Sequence, residues 1–405
     1  MSLIRPFHGV VPRKDCVEKV VSRPFDSYTT AEVRSILNTN SDSFLRVIRP
    51  DLAPNGPQVK GDELLRASRN TFHEFVQAGT LEREPDEAFY IYRQIQGTYS
   101  HTGILATVEA SAYRDGRIKI HEQTLQAKEA KLKDYLKVVA INAEPVMFTF
   151  KSNNALDFLL QEFTLFSEPF ANFEQGGKRH ILWKITDAKQ VETLQEVCNS
   201  IDSIYVADGH HRSASSVLLA DEMGEQFPLT KRFMGIMIPD HDLRLLEFNR
   251  LVKGIPDDII GKLPKLLEEL CTVKLIGKTP RTPRSKQCMS LYVRGHWYAL
   301  DFGPPQNDVL DADVLTDRVL ATLFGIEDLR NDQRIGFSSG LKGIKALQQE
   351  VDSGNYQAAF ALFPVQMDQF FSFSDEARIM PPKTTWFEPK LLNGLVIYDL
   401  EIDSK

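Results

Sequence analysis

The sequence predicts an α+β fold with mixed sheets, and three observations support this prediction. The N-terminal stretch contains short, mixed strand and helix patterns. The middle of the chain follows the order strand, helix, strand, turn, helix, and the C-terminal part mixes helices with a hairpin. Neither an internal repeat nor a low-complexity tract interrupts these patterns, and 42% of the residues are hydrophobic, which is enough for a real core.

The first region, residues 1–150, is predicted to be an α+β unit. Leu65 and Phe72 lie on one face of an amphipathic helix. The aromatic run from Ala88 to Gln94 is typical of a strand, and the apolar segment after Gly97 predicts a hairpin partner or a neighbouring strand. Further along, the segment RIKIHEQT alternates as a strand does and continues into a charged helix.

Two more regions are expected, at residues 151–245 and 246–405. The middle region contains strands at 179–186 and 203–207 with an amphipathic helix between them. The last region has a predicted hairpin around Gly295, and helices are predicted after it near 312–323 and 341–351. No Pro- or Gly-rich linker marks either boundary, so the two divisions depend on these changes of pattern alone.

Composition excludes several functional classes. Lys and Arg number 48 against 55 Asp and Glu, and no long basic tract occurs, which argues against a nucleic-acid partner. No stretch reaches the ~18 apolar residues of a membrane helix. The four cysteines are far apart, so neither a disulfide framework nor a zinc set is predicted. We expect a cytoplasmic protein without a membrane partner, and the oligomeric state is left open.

The segment YVADGHHRSASS, residues 205–216, carries the sharpest chemical signal. An apolar strand ends here in a cluster of polar and small residues, directly before a Ser-rich helix. Gly209 permits an unusual backbone conformation, and the free N–H groups of a helix start bind anions. Two histidines and an arginine add up to three cationic or donor side chains, and Asp208 suits Mg²⁺ or a substrate hydroxyl. The predicted phosphate-site residues are Asp208, Gly209, His210, His211 and Arg212.

A second group of polar residues lies in IKIHEQT, residues 118–124. Lys119 and His121 are predicted to share one side of a strand, with Glu122 at its end. These three side chains are suited to holding a phosphate, a general base and Mg²⁺. A solvated strand end that leads into a charged helix is the alternative.

Three further cations are weaker candidates for phosphate binding. Arg93 follows an aromatic strand, and Arg49 precedes a proline. Lys383 lies in the segment MPPKTTW, where two prolines stiffen the loop. For each of them a simple surface position is the alternative.

The turn resembles the Asp-Gly-His-His-Arg motif of the free serine kinases, which belong to the ParB/sulfiredoxin-like group of folds. The whole chain also resembles a family of bacterial and archaeal proteins of similar length, long catalogued as a domain of unknown function and related to those kinases. That family usually has Pro-Tyr-Asp where this chain has Phe25, so one hydroxyl is missing here. The matching segments are SFLRVIRPDL, FYIYRQ, TGILATV, IKIHEQT, HILWKI, YVADGHHRSAS and MPPKTTWFEPKL.

The resemblance implies a ParB/sulfiredoxin-like phosphate-binding module within 151–245 that carries the strand–DGHHR–helix turn. It also implies phosphoryl transfer to the hydroxyl of free L-serine, giving O-phosphoserine, with pyrophosphate, ADP or ATP as donor. Asp208–Arg212 would then bind the phosphoryl group and the serine. Glu122 would be the general base, with Asp208 and His210 as the other catalytic candidates, and Mg²⁺ would be held jointly with the phosphates.

Two other functions stay open at this point. A ParB-like nucleotide-binding regulatory protein uses the same type of motif, although the acidic net charge and the missing basic helix argue against a DNA partner. A phosphatase-like hydrolase would use the same His and Arg side chains. The kinase hypothesis requires that Glu122 or His121 reach the Asp208–Arg212 turn in one cleft, with the Lys383 loop near its rim.

Overall fold

The computed structural model describes residues 2–401 and divides them into two compact units. The first unit contains the described residues up to Leu243 together with those from Pro389 onward, and the second is Arg244–Glu388. The chain therefore leaves the first unit and returns to it near its end. The sequence-derived boundary at 150 lies inside the first unit, because strands from both sides of it pair in one sheet.

The strands form where β-branched and aromatic residues are concentrated, as in the segment FYIYRQIQ. In chain order they are β1 (Ile4–Arg5), β2 (Gly9–Pro12), β3 (Leu81–Arg83), β4 (Phe89–Gln96), β5 (Tyr99–Glu109), β6 (Ile118–Lys119), β7 (Ile141–Asn142), β8 (Val146–Phe150), β9 (Ala171–Gln175), β10 (Lys178–Ile185), β11 (Ile204–Asp208), β12 (Arg232–Pro239), β13 (Arg244–Val252), β14 (Thr272–Gly277), β15 (Cys288–Val293), β16 (His296–Asp301), β17 (Ile335–Ser339), β18 (Ala358–Ala361), β19 (Thr385–Glu388) and β20 (Ile397–Asp399).

The helices follow capping and amphipathic signals. Thr29 accepts from the backbone of Glu32 in a capping box, which fixes the start of α2. No helix within residues 2–401 is long and apolar enough to cross a membrane. In chain order the helices are α1 (Val17–Val20), α2 (Thr30–Thr39), α3 (Leu45–Ile48), α4 (Asp62–Gln77), α5 (Ser111–Arg114), α6 (Gln126–Val139), α7 (Asn154–Phe166), α8 (Ala188–Cys198), α9 (His210–Met223), α10 (Asp257–Leu267), α11 (Asp311–Leu315), α12 (Ala321–Phe324), α13 (Ile344–Asp352) and α14 (Met367–Asp375).

A mixed sheet dominates the first unit. Within the described chain it has nine strands in the order β6-β11-β8-β12-β5-β4-β10-β9, with β1 added on β5. β6 pairs with β11 and β12 pairs with β8 in parallel, whereas the other pairings are antiparallel. The predicted α+β class with mixed sheets is confirmed, and β4 and β5 form the predicted hairpin.

The core of the first unit lies against this sheet. Phe89, Phe148 and Val206 are fully buried in one cluster with apolar side chains of α7, α8 and α9. Burying side chains of this size stabilises the fold by roughly 1.5–3 kcal/mol each. A smaller sheet in the order β3-β2-β20-β7 uses the returning segment, whose Ile397 packs with Phe72 of α4.

The second unit has its own sheet and core. Its strand order is β14-β16-β15-β18-β13-β17, with β19 paired to β13. The predicted hairpin is formed by β15 and β16, and both Arg294 and Gly295 in its turn have positive φ, as a tight two-residue hairpin requires. Leu263, Leu291 and Phe360 are buried in its core.

Candidate active site

The DGHHR turn is the junction between β11 and α9. Gly209 has φ +98°, a left-handed conformation that L-residues with a side chain rarely adopt. A Cβ atom there would lie 2.9 Å from Nε of Arg212, so a side chain at this position would displace the guanidinium. The predicted helix start at the serines is wrong by one turn, because α9 begins at His210.

The first turn of α9 presents backbone donors. The N–H of Ser213 is bonded to the carbonyl of Gly209 at 2.9 Å, which closes the first helical ring. The three preceding N–H groups, at residues 210–212, have no acceptor within the helix. Together with the positive end of the helix dipole they form a site suited to an anion.

Strand pairing brings the second predicted segment to this turn. Because β6 runs parallel to β11, with Lys119 opposite Tyr205, the residues that follow β6 run beside the end of β11. The rings of His121 and His210 are 4.5 Å apart and nearly perpendicular. Oε2 of Glu122 lies 3.4 Å from Nδ1 of His210. The structure thus unites the two segments, as the kinase hypothesis requires.

The strand before this contact is shorter than the alternation predicted. β6 contains only Ile118 and Lys119, so His121 and Glu122 follow the strand instead of standing on it. Lys119 stays at the strand end, where its Nζ lies 5.4 Å from the ring centroid of Tyr205. Nζ of Lys151 lies 5.9 Å from the same ring, so this buried aromatic side chain is flanked by two cations.

Burial favours the neutral form of the two histidines in contact, His121 and His210. It lowers the pKa of His210 to about 3, with the nearby His211 and Arg212 acting in the same direction. It also holds the pKa of His121 well below its usual value. The negative charge of Glu122 acts to raise the pKa of His210. However, the Glu122 side chain is 44% exposed, so water screens its charge. Both shifts favour the neutral imidazole at pH 7, so of the two roles predicted for His210, cation or hydrogen-bond donor, the neutral donor is favoured.

Each of the two histidines of the motif has one ring nitrogen without a hydrogen-bond partner among the described residues. These atoms are Nε2 of His210 and Nδ1 of His211, and both are buried. Since a carboxylate of Glu122 faces Nδ1 of His210, that nitrogen carries the proton and Nε2 is left as an acceptor. A buried acceptor without a partner costs roughly 1–3 kcal/mol, so this atom is a natural contact for a bound molecule.

Arg212 fastens the turn to the segment before β8. Its Nη1 lies 2.7 Å from Oε1 of Glu144 and donates to the carbonyl of Pro145 at 2.9 Å. Its Nη2 donates to Oδ2 of Asp208 at 3.4 Å. The sequence analysis predicted that Arg212 binds phosphate. In the structure its guanidinium N–H groups are directed at Glu144, Pro145 and Asp208. Phosphate contact by Arg212 stays a prediction.

Asp208 has a second cationic neighbour that sequence reasoning missed. Nζ of Lys390 lies 3.3 Å from Oδ2 of Asp208. The backbone carbonyl of Lys390 accepts from the buried Gln94 at 3.0 Å, and the same amide donates to Tyr92 Oη at 3.2 Å. Lys390 lies in the segment MPPKTTWFEPKL, from which the sequence analysis selected Lys383. The segment was therefore correctly singled out, but the lysine that contacts Asp208 is Lys390.

The structure does not bring Arg93 to the turn. It lies on β4, four strands away from β11 in the sheet order, which is roughly 19 Å. Its guanidinium donates to the hydroxyls of Thr102 and Thr164 and stacks on Trp183, 5.4 Å from the ring centroid. A structural role within the sheet explains these contacts.

The remaining two candidates have local partners. Arg49 forms two hydrogen bonds to Asp51, at 2.8 and 2.6 Å, which raise the pKa of the guanidinium, and it packs over Phe25. Lys383 belongs to the second unit, where its carbonyl accepts from Arg250 at 2.9 Å. Its position beside the turn stays a prediction.

The acidic side chains at the turn suit a shared magnesium ion. Among residues 2–401 no group of three or more His, Cys, Asp or Glu side chains is arranged to hold a metal by itself. Mg²⁺ usually takes one or two carboxylates and completes its shell with water and substrate phosphate. Asp208, at the end of β11, is a carboxylate of this kind, and Glu122 beside His210 is another.

Comparison with known proteins identifies the family. The family described as "Protein of unknown function (DUF1015)" matches residues 4–322, so this chain belongs to it. The predicted resemblance to a family catalogued as a domain of unknown function is thereby confirmed, and the ParB/sulfiredoxin-like module stays a prediction. Curated protein sequences give no match.

Solved structures give fold likenesses at low identity. A free serine kinase in complex with AMP is 13% identical, with 76% of this chain and 94% of that chain covered and a TM-score of 0.38. A conserved hypothetical protein from Pyrococcus furiosus is 13% identical, with 76% and 99% covered and a TM-score of 0.38. SbnI with a C-terminal truncation from Staphylococcus aureus is 11% identical, with 74% and 90% covered and a TM-score of 0.37.

Proposed function

We propose that this chain is a phosphotransferase that moves a phosphoryl group from a nucleotide or pyrophosphate to the hydroxyl of free L-serine, giving O-phosphoserine. The observation that carries this proposal is the contact of Glu122 with His210, at 3.4 Å, in the first turn of α9. It joins a carboxylate base to a helix end suited to phosphate. The choice of serine as acceptor follows from the DGHHR motif.

The phosphate end of the donor would bind at the N-terminus of α9. The free N–H groups of residues 210–212 point outward from the helix end, and the absence of a side chain at Gly209 lets an anion approach the backbone. Arg212 and Lys390 flank Asp208, and Arg212 also contacts Glu144, so these four side chains sum to zero charge and the positive potential comes from the helix end. Fixed donors and positive charge stabilise the equatorial oxygens of the transferring group.

Glu122 would take the proton from the serine hydroxyl. As Oγ forms its bond to phosphorus, the bond to the leaving phosphate or nucleotide breaks, and the leaving oxygen keeps the electron pair. A neutral His210 donates from Nδ1 toward Glu122 and so orients the carboxylate without neutralising it. Its Nε2 is then available to accept from the ammonium group of serine.

Asp208 would hold Mg²⁺ together with phosphate oxygens. The ion would supply neutralisation of the phosphate charge. The Asp208 side chain is 39% exposed, so water ligands can complete the shell.

The test is direct product detection. The protein is incubated with L-serine, Mg²⁺ and each of ATP, ADP and pyrophosphate, and O-phosphoserine is measured by mass spectrometry. We expect product with at least one donor. Absence of product with all three contradicts the proposal, phosphate release from phosphoserine without an acceptor would favour the hydrolase, and a salt-sensitive DNA complex would favour the ParB-like regulator.

Glu122→Gln tests the role of the base. Turnover should fall by about 10²–10⁴ while donor binding changes little, because the amide keeps the shape of the side chain and loses its basicity. Glu192→Gln, at an exposed position on α8, is the matched control and should behave as wild type. Near-normal turnover of Glu122→Gln would transfer the role to Asp208 or His210.

A further inference from the structure

A cavity of about 220 Å³ lies beside α9 in the first unit. The residues that line it are mainly apolar, and they include the aromatic residues Phe25, Tyr135 and Phe233. Burial raises the pKa of the Tyr135 hydroxyl to about 12, in keeping with an apolar environment. The volume is below the range of pockets that enclose a whole drug-sized ligand. It therefore suits one ring system of a larger molecule.

Polar groups at fixed positions interrupt the apolar wall. Oδ1 of Asn393 is buried, in a residue that is 3% exposed, and it has no hydrogen-bond partner among the described residues. Asn142 uses its Oδ1 to accept from the N–H of Met234 at 2.9 Å, which fixes the orientation of its amide. The hydroxyl of Ser216 donates to the carbonyl of Arg212, so its oxygen is left with acceptor capacity. A ligand with N–H donors on a flat ring matches this wall.

The same helix links the cavity to the proposed phosphate site. Arg212, Ser215 and Ser216 line the cavity, while Arg212 also contacts Asp208 of the turn. Ser216 lies six residues beyond His210, which is about 9 Å along the helix axis. One extended molecule with an anionic end and an uncharged ring can therefore occupy both places.

We propose that this cavity binds the nucleoside part of the phosphoryl donor, with the planar base between the aromatic side chains and its N–H edge toward Asn393. This inference deepens the proposed function and rests on it, because it makes the donor a nucleotide instead of pyrophosphate. Pyrophosphate has no ring for the cavity, and a doubly charged anion is costly to bury against apolar walls. A purely aliphatic ligand would leave the buried carbonyl of Asn393 unsatisfied.

Filling the cavity tests the inference by binding alone. Ala143 lines the cavity and is half-buried, so Ala143→Leu adds apolar volume there with little disturbance of the sheet. Isothermal titration measures the affinity of ADP and of pyrophosphate for the intact protein. Ala143→Leu should weaken ADP binding by about tenfold or more and leave pyrophosphate within about twofold. Ala31→Leu, at an exposed position on α2, is the matched control and should change neither affinity.

A second variant protects the test against a folding defect. Asn393→Ala keeps the cavity open and removes only its unsatisfied acceptor, so ADP should bind more weakly and pyrophosphate should not. Unchanged ADP affinity in both variants, or an equal loss for both ligands, would overturn the inference.

Failure of this inference can be told apart from failure of the proposed function. If ADP binding depends on the cavity but no phosphoserine forms, the nucleoside site stands and the kinase proposal falls. If phosphoserine forms and both variants bind ADP as wild type does, the kinase stands and the nucleoside site falls.

Discussion

The neutral state of His210 makes a quantitative prediction about the pH dependence of stability. In the folded protein the pKa of this buried imidazole is about 3, against 6.5 for an unperturbed histidine. Below pH 6.5 the unfolded chain binds a proton that the folded chain refuses, so the free energy of unfolding falls as the pH falls. Above pH 6.5 both states are neutral, and the residue has no effect.

The magnitude follows from these two values. At pH 5 the unfolded histidine is almost fully protonated and the folded one is not, which costs about 2 kcal/mol of stability relative to pH 7. His210→Gln removes the titrating group and keeps a polar side chain at this position. The free energy of unfolding of the variant should therefore fall by about 2 kcal/mol less than that of wild type between pH 7 and pH 5.

Urea unfolding followed by circular dichroism at the two pH values measures this difference. His8→Gln, at an exposed position, should show the wild-type pH dependence. An unchanged pH dependence in His210→Gln would refute the neutral imidazole. It would mean that the folded imidazole titrates near its ordinary pKa of 6.5; a smaller loss of stability in wild type than in the variant would mean that Glu122 holds His210 protonated.

Two further predictions concern the turn. Lys390→Met removes a cation 3.3 Å from Asp208 and should weaken donor affinity by about tenfold in titration calorimetry, whereas Lys189→Met on the exposed face of α8 should leave it unchanged. Equal affinities in the two variants would exclude Lys390 from the site. Gly209→Ala should cost roughly 1–2 kcal/mol for its positive φ and also impair donor binding by displacing Arg212, while Gly79→Ala, with positive φ but open space around it, should lower the melting temperature alone. Normal donor binding by Gly209→Ala would contradict the proposed geometry.

The local features of the fold could be predicted because short-range patterns determine them. The strand before the turn, the glycine that permits it and the helix after it lie within a dozen residues, and hydrophobic periodicity identifies them. The hairpin of β4 and β5 follows from two adjacent apolar runs. The start of α9 lies one turn before the predicted one, because Arg favours a helix and His does not prevent it, so the chemistry of the motif hid the boundary.

The long-range features of the site depend on topology that periodicity does not encode. The parallel pairing of β6 with β11 brings Glu122 to His210, and the sequence indicated this proximity only through the resemblance. The return of the chain to the first unit places Lys390 at Asp208, far from it in sequence. The neutral state of His210 depends on burial by the assembled core, and no single segment reveals it.

The central claim is that the first turn of α9 and Glu122 form one phosphoryl-transfer site. A crystal structure with ADP, Mg²⁺ and L-serine bound tests it most directly. The account predicts the terminal phosphate within hydrogen-bonding distance of the N–H groups of residues 210–212, and serine Oγ within hydrogen-bonding distance of the Glu122 carboxylate. A phosphate bound elsewhere, with Glu122 facing only solvent, would contradict it.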